Sequence, residues 1–526
     1  MAATAKGNPL KSLEEQALKL IGEAEDDRNL HQEWHRDVYR YCMPWRRRPK
    51  EWRQKHDQDD LFDSTAIEAL ADFSADMQTT FTPIEDDWLD VEVADTISGF
   101  TKAQLEPKLK AYQTAVFAEI RRSNFHEAAQ EAYPDLGTGT CAMVIQDVDI
   151  NQPLQCQAVP ITDLLIVRGV HGGVDGRVRV IANMKLRDLQ ATYPKAVFAP
   201  ELLTRIKNSP GSETCVKECC WRVWNPDRVE RWQYVLLVDN KAAQADVFEG
   251  AGSCPIVTAR WRTDSTTAWG VGALYVVLPT IKTLDQLQYL LMKHLSFAVD
   301  PAGFYDDDGV INLDNGLEPG TMIPRATGSK IEPYESKAEF ETGFFERKDM
   351  QSDIKRALFQ DKPYQPGATP PTAAQWMDQK AETARRMGSP FGRLTTEWQW
   401  AIFQRFVYLL EKRGQLPKVT LNGNAVRLRP QSPLIKAQRQ QKAVTADRFL
   451  EILASRFGPN IITLITDPIQ TAAKMKDALG DDLVVLRDES QIKQITETAA
   501  TAAQNAGQIP KPGAADAASA VPTPGP

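Results

Sequence analysis

Apolar residues at a helical repeat open the chain. Leu10, Leu13, Ala17, Leu18, Ile21 and Ala24 recur every three or four positions, which predicts a helix over residues 8–42. Pro44-Trp45-Arg46-Arg47-Arg48-Pro49 breaks it. A second helix is expected from Asp63, whose carboxylate can accept from the free N–H groups of the first turn. It carries Ala66, Leu70, Phe73 and Met77 on one face and ends before Thr82-Pro83. A third is expected from about Lys102 to Ala132, stopping near Pro134.

Between Thr140 and Arg262 the period shortens to β-rich runs. Cys141–Val148, Ala158–Val167 and Val178–Met184 read as strands, with a short helix at Lys185–Tyr193. Cys215–Trp224 and Arg228–Val238 flank the turn signal Asn225-Pro226-Asp227 and read as a hairpin.

Helical spacing returns at residues 271–296, where Leu274, Val277, Leu278, Ile281, Leu284, Leu287, Leu291 and Leu295 form one apolar stripe. At about 1.5 Å per residue that rod is roughly 35–40 Å long. Pro279 either kinks it or marks its first turn, and Asp300-Pro301 ends it. Turn signals crowd residues 301–338, which suits a small strand-containing module. A helix is expected at 339–360, then a proline-rich loop, Pro363-Tyr364-Gln365-Pro366-Gly367-Ala368-Thr369-Pro370-Pro371. Thr372 opens a long helix to about Arg413, with a kink expected at Gly388-Ser389-Pro390. Pro417–Pro430 reads as a strand-rich return, and Pro433 to about Phe457 as helix, with two further short helices possible up to about 506. Residues 510–526 are Ala/Pro/Gly-rich with little apolar bulk, and disorder is expected there. The fold class is therefore α+β, mainly helical.

Composition narrows the partners. The 526 residues are 42% hydrophobic and 25% charged, as in a globular protein, and the length suggests about three or four folding units. No apolar run of spanning length lacks charges, and the polar N-terminus does not read as a secretory signal. The net charge of −8 does not suit a protein that grips nucleic acid phosphates over a wide surface. Seven scattered cysteines, an odd number, make no disulfide framework, and reduced thiols are expected.

Motifs for catalysis are missing. There is no Gly-x-x-x-x-Gly-Lys-Ser/Thr loop and no Gly-x-Ser-x-Gly elbow, so neither a P-loop ATPase nor a serine hydrolase is indicated, and no cofactor is expected. Asp306, Asp308, Gly309 and Ile311 mimic part of a calcium loop, but its first and twelfth positions would be Phe304 and Asn315, so a tight hairpin is the preferred reading. His31 and His35 stand one turn apart without a third zinc ligand. Cys215, Cys219 and Cys220 lie in a strand and read as buried thiols rather than a metal site. Arg46-Arg47-Arg48, beside Trp45 and Trp52, is the strongest basic cluster; a contact between subunits is preferred there over nucleic acid or an acidic partner.

Six segments, in order, carry a resemblance. They are Leu61-Phe62-Asp63-Ser64-Thr65-Ala66 with Thr82-Pro83 and Trp88; Phe125-His126-Glu127-Ala128-Ala129 running to Asp135-Leu136-Gly137-Thr138-Gly139-Thr140; and Trp269-Gly270-Val271-Gly272 with Leu278–Asp285. Pro301-Ala302-Gly303 with Leu317-Glu318-Pro319-Gly320, Thr372-Ala373-Ala374, and Ser432–Gln438 complete the set. Together they resemble the portal, or head-to-tail connector, family of short-tailed (podovirus-type) double-stranded DNA phages.

That resemblance implies a portal fold: a wing over 1–270, stem helices at 271–296 and 339–360 with a clip (297–338) between them, and a tunnel loop at 361–371. A long kinked helix and wing return (372–430), a crown (431–506) and a disordered tail (507–526) would follow. It implies a structural protein, not an enzyme, that closes into a ring at one capsid vertex, of twelve copies in the family's usual form. DNA would pass through without sequence readout during packaging and ejection. Terminase, tail adaptor proteins, and capsid and scaffolding proteins would be partners, in the virion and, during assembly, the host cytoplasm.

Lys282, Lys293, Arg347, Lys348, Lys355 and Arg356, on the stem helices, would touch passing phosphates weakly, or else form salt bridges between subunits or a solvated face. Lys362 and Tyr364 could meet DNA from the loop that holds Pro363, Pro366, Gly367, Pro370 and Pro371, unless that loop is an ordinary connection. The alternative reading is another capsid-associated assembly protein, an internal core or scaffold, against which the β-rich middle counts.

Overall fold

A computed structural model describes residues 9–46, 61–93, 100–149, 151–227, 229–300, 303–307, 322–326, 340–360, 388–417, 426–430, 433–457, 466, 471–472 and 474–476. The chain divides into two compact units, residues 1–434 and 435–526, where length alone suggested three or four. The first unit stays whole because most of its helices and strands share one large core, with a second, smaller one on the other face of its main sheet.

In chain order this unit holds α1 (Pro9–Tyr41), α2 (Thr65–Phe81), β1 (Leu89–Val93), α3 (Phe100–Arg122), α4 (Phe125–Thr138), β2 (Thr140–Gln146), β3 (Gln155–Val159), β4 (Leu164–Arg168) and β5 (Val174–Lys185). Next come α5 (Leu186–Thr192), α6 (Pro200–Asn208), β6 (Glu213–Val223), β7 (Arg231–Val238), β8 (Lys241–Glu249), β9 (Ile256–Arg260) and α7 (Ala273–Val299). It continues with β10 (Gly303–Asp307), β11 (Met322–Ala326), α8 (Phe340–Ala357), α9 (Gly388–Leu394), a π-helical segment (Thr395–Trp400), α10 (Ala401–Lys412) and β12 (Val426–Pro430). The helix α11 (Pro433–Phe457) lies almost wholly in the second unit.

Strands β4 to β8 form one antiparallel sheet in sequence order. Alternation decides its two faces. Leu165, Val178, Cys219, Val235 and Leu237 point to one side, where Ala17, Ile21 and Ala24 of α1 cover them. Leu164, Ile166, Cys220, Tyr234 and Leu236 point to the other side and join the main core. Both faces are thus buried, which accounts for the unbroken apolar run of β7. Six of the seven cysteines are buried, Cys215 partly so, and all are free thiols.

At 33 residues, α1 is roughly 50 Å long. Its first half lies on the sheet; farther on, Asp27 accepts from Thr267 Oγ1 (3.1 Å) and Ala268 N (3.1 Å), and Asp37 pairs with Lys282 of α7. His31 meets Thr267 Oγ1 at 3.0 Å, and His35 is buried between Trp34 and Trp269. Burial, reinforced by His31 and Arg28, pushes the His35 imidazole down to about 3.

The expected third helix is two. It breaks at Ser123-Asn124 because the Asn124 amide pairs with both the N–H (2.8 Å) and the carbonyl (2.9 Å) of Cys156 in β3, an alternative to continuing the helix. Pro134 lies inside α4 instead of ending a helix. The expected strand Ala158–Val167 is also two, separated at Pro160 by a 3₁₀ turn, Ile161–Asp163. β10 pairs with β11 in parallel, which no tight hairpin between them can produce, so that reading of Asp306–Gly309 does not hold for this pair. Residues 308–321, with Asp308, Gly309, Ile311 and Asn315, lie outside the described residues. Of the expected long helix, residues 372–387 lie outside the described residues; Gly388-Ser389-Pro390 open α9, and a π segment follows it. The expected disordered end, 510–526, lies outside the described residues.

Two glycine pairs hold the helical and sheet parts together. Gly139, at φ +126°, lies across Gly270, and Gly272 lies across Gly137 and Thr138, so closely that a Cβ on Gly139 or Gly270 would collide with the carbonyl of the other. Gly272 N donates to Thr138 O (3.2 Å) and Gly270 N to Thr140 Oγ1 (2.9 Å). Two of the sequence segments described above therefore meet backbone to backbone.

Beside this crossing, Asp135 is fully buried, accepts from Tyr39 Oη (2.8 Å) and pairs with Arg46 (3.1 Å). Arg46 also donates to the carbonyl of Glu131. It is thus an internal anchor and not the subunit contact expected, because a buried carboxylate needs a cation beside it. Arg47 and Arg48 lie outside the described residues. Burial outweighs Arg46 and Tyr39 and holds the Asp135 carboxyl up at about 6. A carboxyl protonated more readily in the folded chain contributes stability that is full below the ordinary value of 3.8 and is lost as pH rises through about 6. Denaturation of Asp135→Asn beside wild type is expected to show the balance shifting toward the variant by up to about 3 kcal/mol across that window. Parallel stability curves would contradict it.

A candidate channel and assembly surface

The candidate site is the pair α7 and α8, which pack antiparallel. Gly343 of α8 lies against Leu291 of α7, and Arg347 Nη1 donates to Gln288 Oε1 (3.3 Å) one turn on. At the inner end the segment before α2 fastens both helices. Asp285 Oδ1 accepts from the backbone N–H groups of Phe62 (2.7 Å) and Asp63 (3.1 Å). Asp63 Oδ2 accepts from Gln351 Nε2 (3.0 Å), while its Oδ1 accepts from Thr65 N (2.9 Å), the role expected at the start of α2. Gln360 Nε2 then reaches Asp76 Oδ2 (2.8 Å).

A left-handed residue ends α8. Phe359 has φ +62°, its N–H bonds to Arg356 O (3.2 Å), and Gln360 N bonds to Lys355 O (2.7 Å). This is the paired C-terminal closure that usually employs glycine. A non-glycine residue costs about 1–2 kcal/mol there, offset by the packing of the Phe359 ring on Trp261 (centroids 5.8 Å). Nothing in the sequence signals it.

The apolar stripe expected along α7 is buried only in part. Leu274, Val277, Leu278, Ile281 and Leu284 are covered, whereas Leu287 and Leu291 are half-buried and Leu295 is exposed. Met292 and Val299 extend the same face into solvent. A second apolar row, Val276, Leu287 and Leu290 with Thr280 and Thr283 between, follows the three- and four-residue spacing of a helix–helix seam; Val276 is 70% and Leu290 52% exposed. Phe345 of α8 is also bare.

The expected channel residues separate into groups. Lys282 is held by Asp37 of α1, and Arg347 turns toward α7. Lys293, Lys348, Lys355 and Arg356 are exposed. Lys362, Tyr364 and the loop residues Pro363, Pro366, Gly367, Pro370 and Pro371 lie outside the described residues.

Behind the helix pair, Arg260 of β9 is buried and meets Glu397 of the π segment through Nη2 to Oε1 (2.8 Å) and Nε to Oε2 (3.2 Å), while its own N–H reaches Oε2 (3.1 Å). It also donates to Gly172 O (3.0 Å). The wider π turn lets consecutive side chains face inward: Trp398 Nε1 donates to Tyr133 Oη (3.2 Å) and Gln399 Nε2 to Phe81 O (2.5 Å). Among the described residues, no group of three or more His, Cys, Asp and Glu could hold a metal ion, and no helix is long and apolar enough to cross a membrane.

No curated protein matches the chain. Among solved structures it is similar to a chain from the virion of a native gene transfer agent particle, with 9% identity, a TM-score of 0.38, and coverage of 78% of this chain and 89% of that one. A chain from the neck of the empty particle gives 11% identity, a TM-score of 0.37, and coverage of 78% and 90%. Similarity at this level leaves function to other grounds. A family model is decisive where those are not: the one for the bacteriophage head to tail connecting protein matches residues 14–486, nearly the whole chain. The chain therefore belongs to the bacteriophage head to tail connecting protein family, a family of structural virion components.

Proposed function

We propose that this connector protein closes into a ring at one capsid vertex of a short-tailed phage. The ring is the passage for DNA in packaging and ejection, and the platform on which terminase and then tail adaptors dock. The observation that carries the reading is the exposed apolar surface of α7: Val276, Leu290, Met292, Leu295 and Val299 are each more than half exposed in the subunit. A rod with a buried inner stripe and a second apolar row needs other copies to remove that row from water. In this reading α7 and α8 are the stem, the segment between them is the clip, and residues 361–371 form the tunnel loop.

Beyond Phe345 the outward face of α8 is polar, with Ser352 at its middle and Arg356 one turn away. A water-filled channel fits that face better than the bare face of α7. Arg356 then meets passing phosphates, weakly, because a net charge of −8 per subunit disfavours tight DNA binding.

Negative-stain images of the purified protein are expected to show rings with a central hole. Arg356→Glu should keep those rings while lowering the DNA packaged per particle. A protein that stays monomeric under every assembly condition would overturn the ring, and unchanged packaging would overturn the role of Arg356. An internal scaffold, the competing reading, would give no such rings.

A further inference from the structure

We infer that α8 helices of adjacent copies are joined by a ladder of ion pairs, with Glu346 and Asp353 of one subunit meeting Lys348 and Lys355 of the next. The inference rests on the ring reading above and specifies its contact.

The orientation of α8 is fixed by what it buries. Ile354 and Leu358 are fully buried, and Gln351 and Arg347 are bonded to Asp63 and Gln288. Ser352 therefore faces outward. Residues seven apart on a helix stand two turns above one another, on one flank. Glu346 and Asp353 share one flank; Lys348 and Lys355 share the opposite one, roughly 160° round at 3.6 residues per turn. One edge of the exposed face is thus acidic and the other basic.

All four side chains are exposed, and none makes an ion pair or side-chain hydrogen bond among the described residues. Pairing along the helix is closed to three of them. Opposite charges interact there at spacings of three or four. Glu346 has Thr342, Gly343, Asp349 and Met350 at those positions, none of them basic. Lys348 has Phe344, Phe345, Gln351 and Ser352, and Lys355 has Gln351, Ser352, Leu358 and Phe359. Only Asp353 has an opposite charge within reach, Arg356, and the two are not paired.

A rotation axis places the same helix of neighbouring copies side by side, running in the same direction at the same height, and brings one flank of each to the other flank of the next. The charges suit that arrangement and no isologous one. Lys348 follows Glu346 by two residues and Lys355 follows Asp353 by two, so at equal height both pairs are offset by the same distance of about 3 Å, which the long lysine side chains span. A lone exposed pair contributes little, but here two pairs recur at every contact around a ring. Two of the lysines expected at the DNA are thereby assigned to the neighbour instead.

The test uses the full chain in three forms: Glu346→Lys with Asp353→Lys, Lys348→Glu with Lys355→Glu, and all four changes together. The sites are exposed, so a wild-type thermal midpoint of the monomer checks folding. Each double variant places like charges at every contact and should weaken it on the order of ten-fold, with rings lost at low salt and recovered as salt screens the repulsion. The fourfold variant restores opposite charges and should restore rings at low salt. Double variants that form rings as wild type does overturn the ladder, as does a folded fourfold variant that forms none. A lysine variant with normal rings and slow packaging would return Lys348 and Lys355 to the DNA. If wild type itself gives no rings, the failure belongs to the ring reading and not to the ladder.

Discussion

Gly270→Ala is expected to leave little folded protein. Its Cβ would enter the space held by the carbonyl of Gly139, and the obstacle is backbone, not a side-chain end that can turn aside. Neither partner can retreat freely. Gly139 is at φ +126°, a conformation that other residues rarely adopt, and its carbonyl already accepts from Trp261 N at 2.8 Å. Overpacking in a core costs about 1–3 kcal/mol, and a backbone collision lies at or above the upper end. That is a large part of the 5–15 kcal/mol typical of a folded protein. Gly139→Ala adds conformational strain to the same collision and should be worse. Gly211→Ala is the control, since nothing stands within 4 Å of the added atom. Urea midpoints and soluble yield give the comparison; a Gly270→Ala protein as stable as the control would mean that the two strands of chain do not cross this closely.

Glu397→Ala should come next in severity. It leaves the guanidinium of Arg260, 1% exposed, with only the carbonyls of Gly172 and Ala268 to replace a bidentate carboxylate. Breaking one side of a buried pair costs about 3–5 kcal/mol, because the remaining charge stays out of water. Glu397→Gln keeps the shape and one acceptor, so its loss should be smaller. Arg393, which also reaches Glu397 Oε1 (3.0 Å), is 37% exposed, and Arg393→Ala should cost less than about 1 kcal/mol. Thermal midpoints across the three variants test the order. Equal losses for Glu397→Ala and Arg393→Ala would show that burial of Arg260 is not what sets the penalty.

Helices were legible wherever periodicity was long. Residues 8–42 and 339–360 were read within a few positions of α1 and α8, and α11 within one, because each carries many turns of one pattern. Interruptions made by side chains from elsewhere were not legible. Nothing local marks Asn124 as the partner of Cys156, thirty-two residues away, or Phe359 as the residue that turns left-handed. Glu397 of the π segment likewise finds its partner in Arg260, 137 residues earlier. Strand pairing was legible where a turn signal joined neighbours, as in the hairpin of β6 and β7 across Asn225-Pro226-Asp227, but the parallel register of β10 with β11 follows from the path of the chain and not from either strand's composition.

The candidate surface was half legible. The sequence supplies the identity and spacing of Lys348, Lys355 and Arg356, but not their direction. That needed Ile354 and Leu358 to show which side of α8 is inside. Arg46 shows the opposite failure: a run of three arginines looks like an outward cluster until Asp135 is found beneath the first of them.

The position of α1 has a consequence for synthesis. Helix α1 leaves the ribosome long before several of its fastenings: Ala242, 228 residues later, Thr267, 240 later, and Lys282, 245 later. At roughly 5–20 residues per second, its greasy side waits on the order of ten to fifty seconds for the strands it must cover. Newborn copies thus spend that interval with a sticky helix uncovered, crowded among siblings on the same message, and a chaperone that shields amphipathic helices would do more for their yield than one that acts on finished chains.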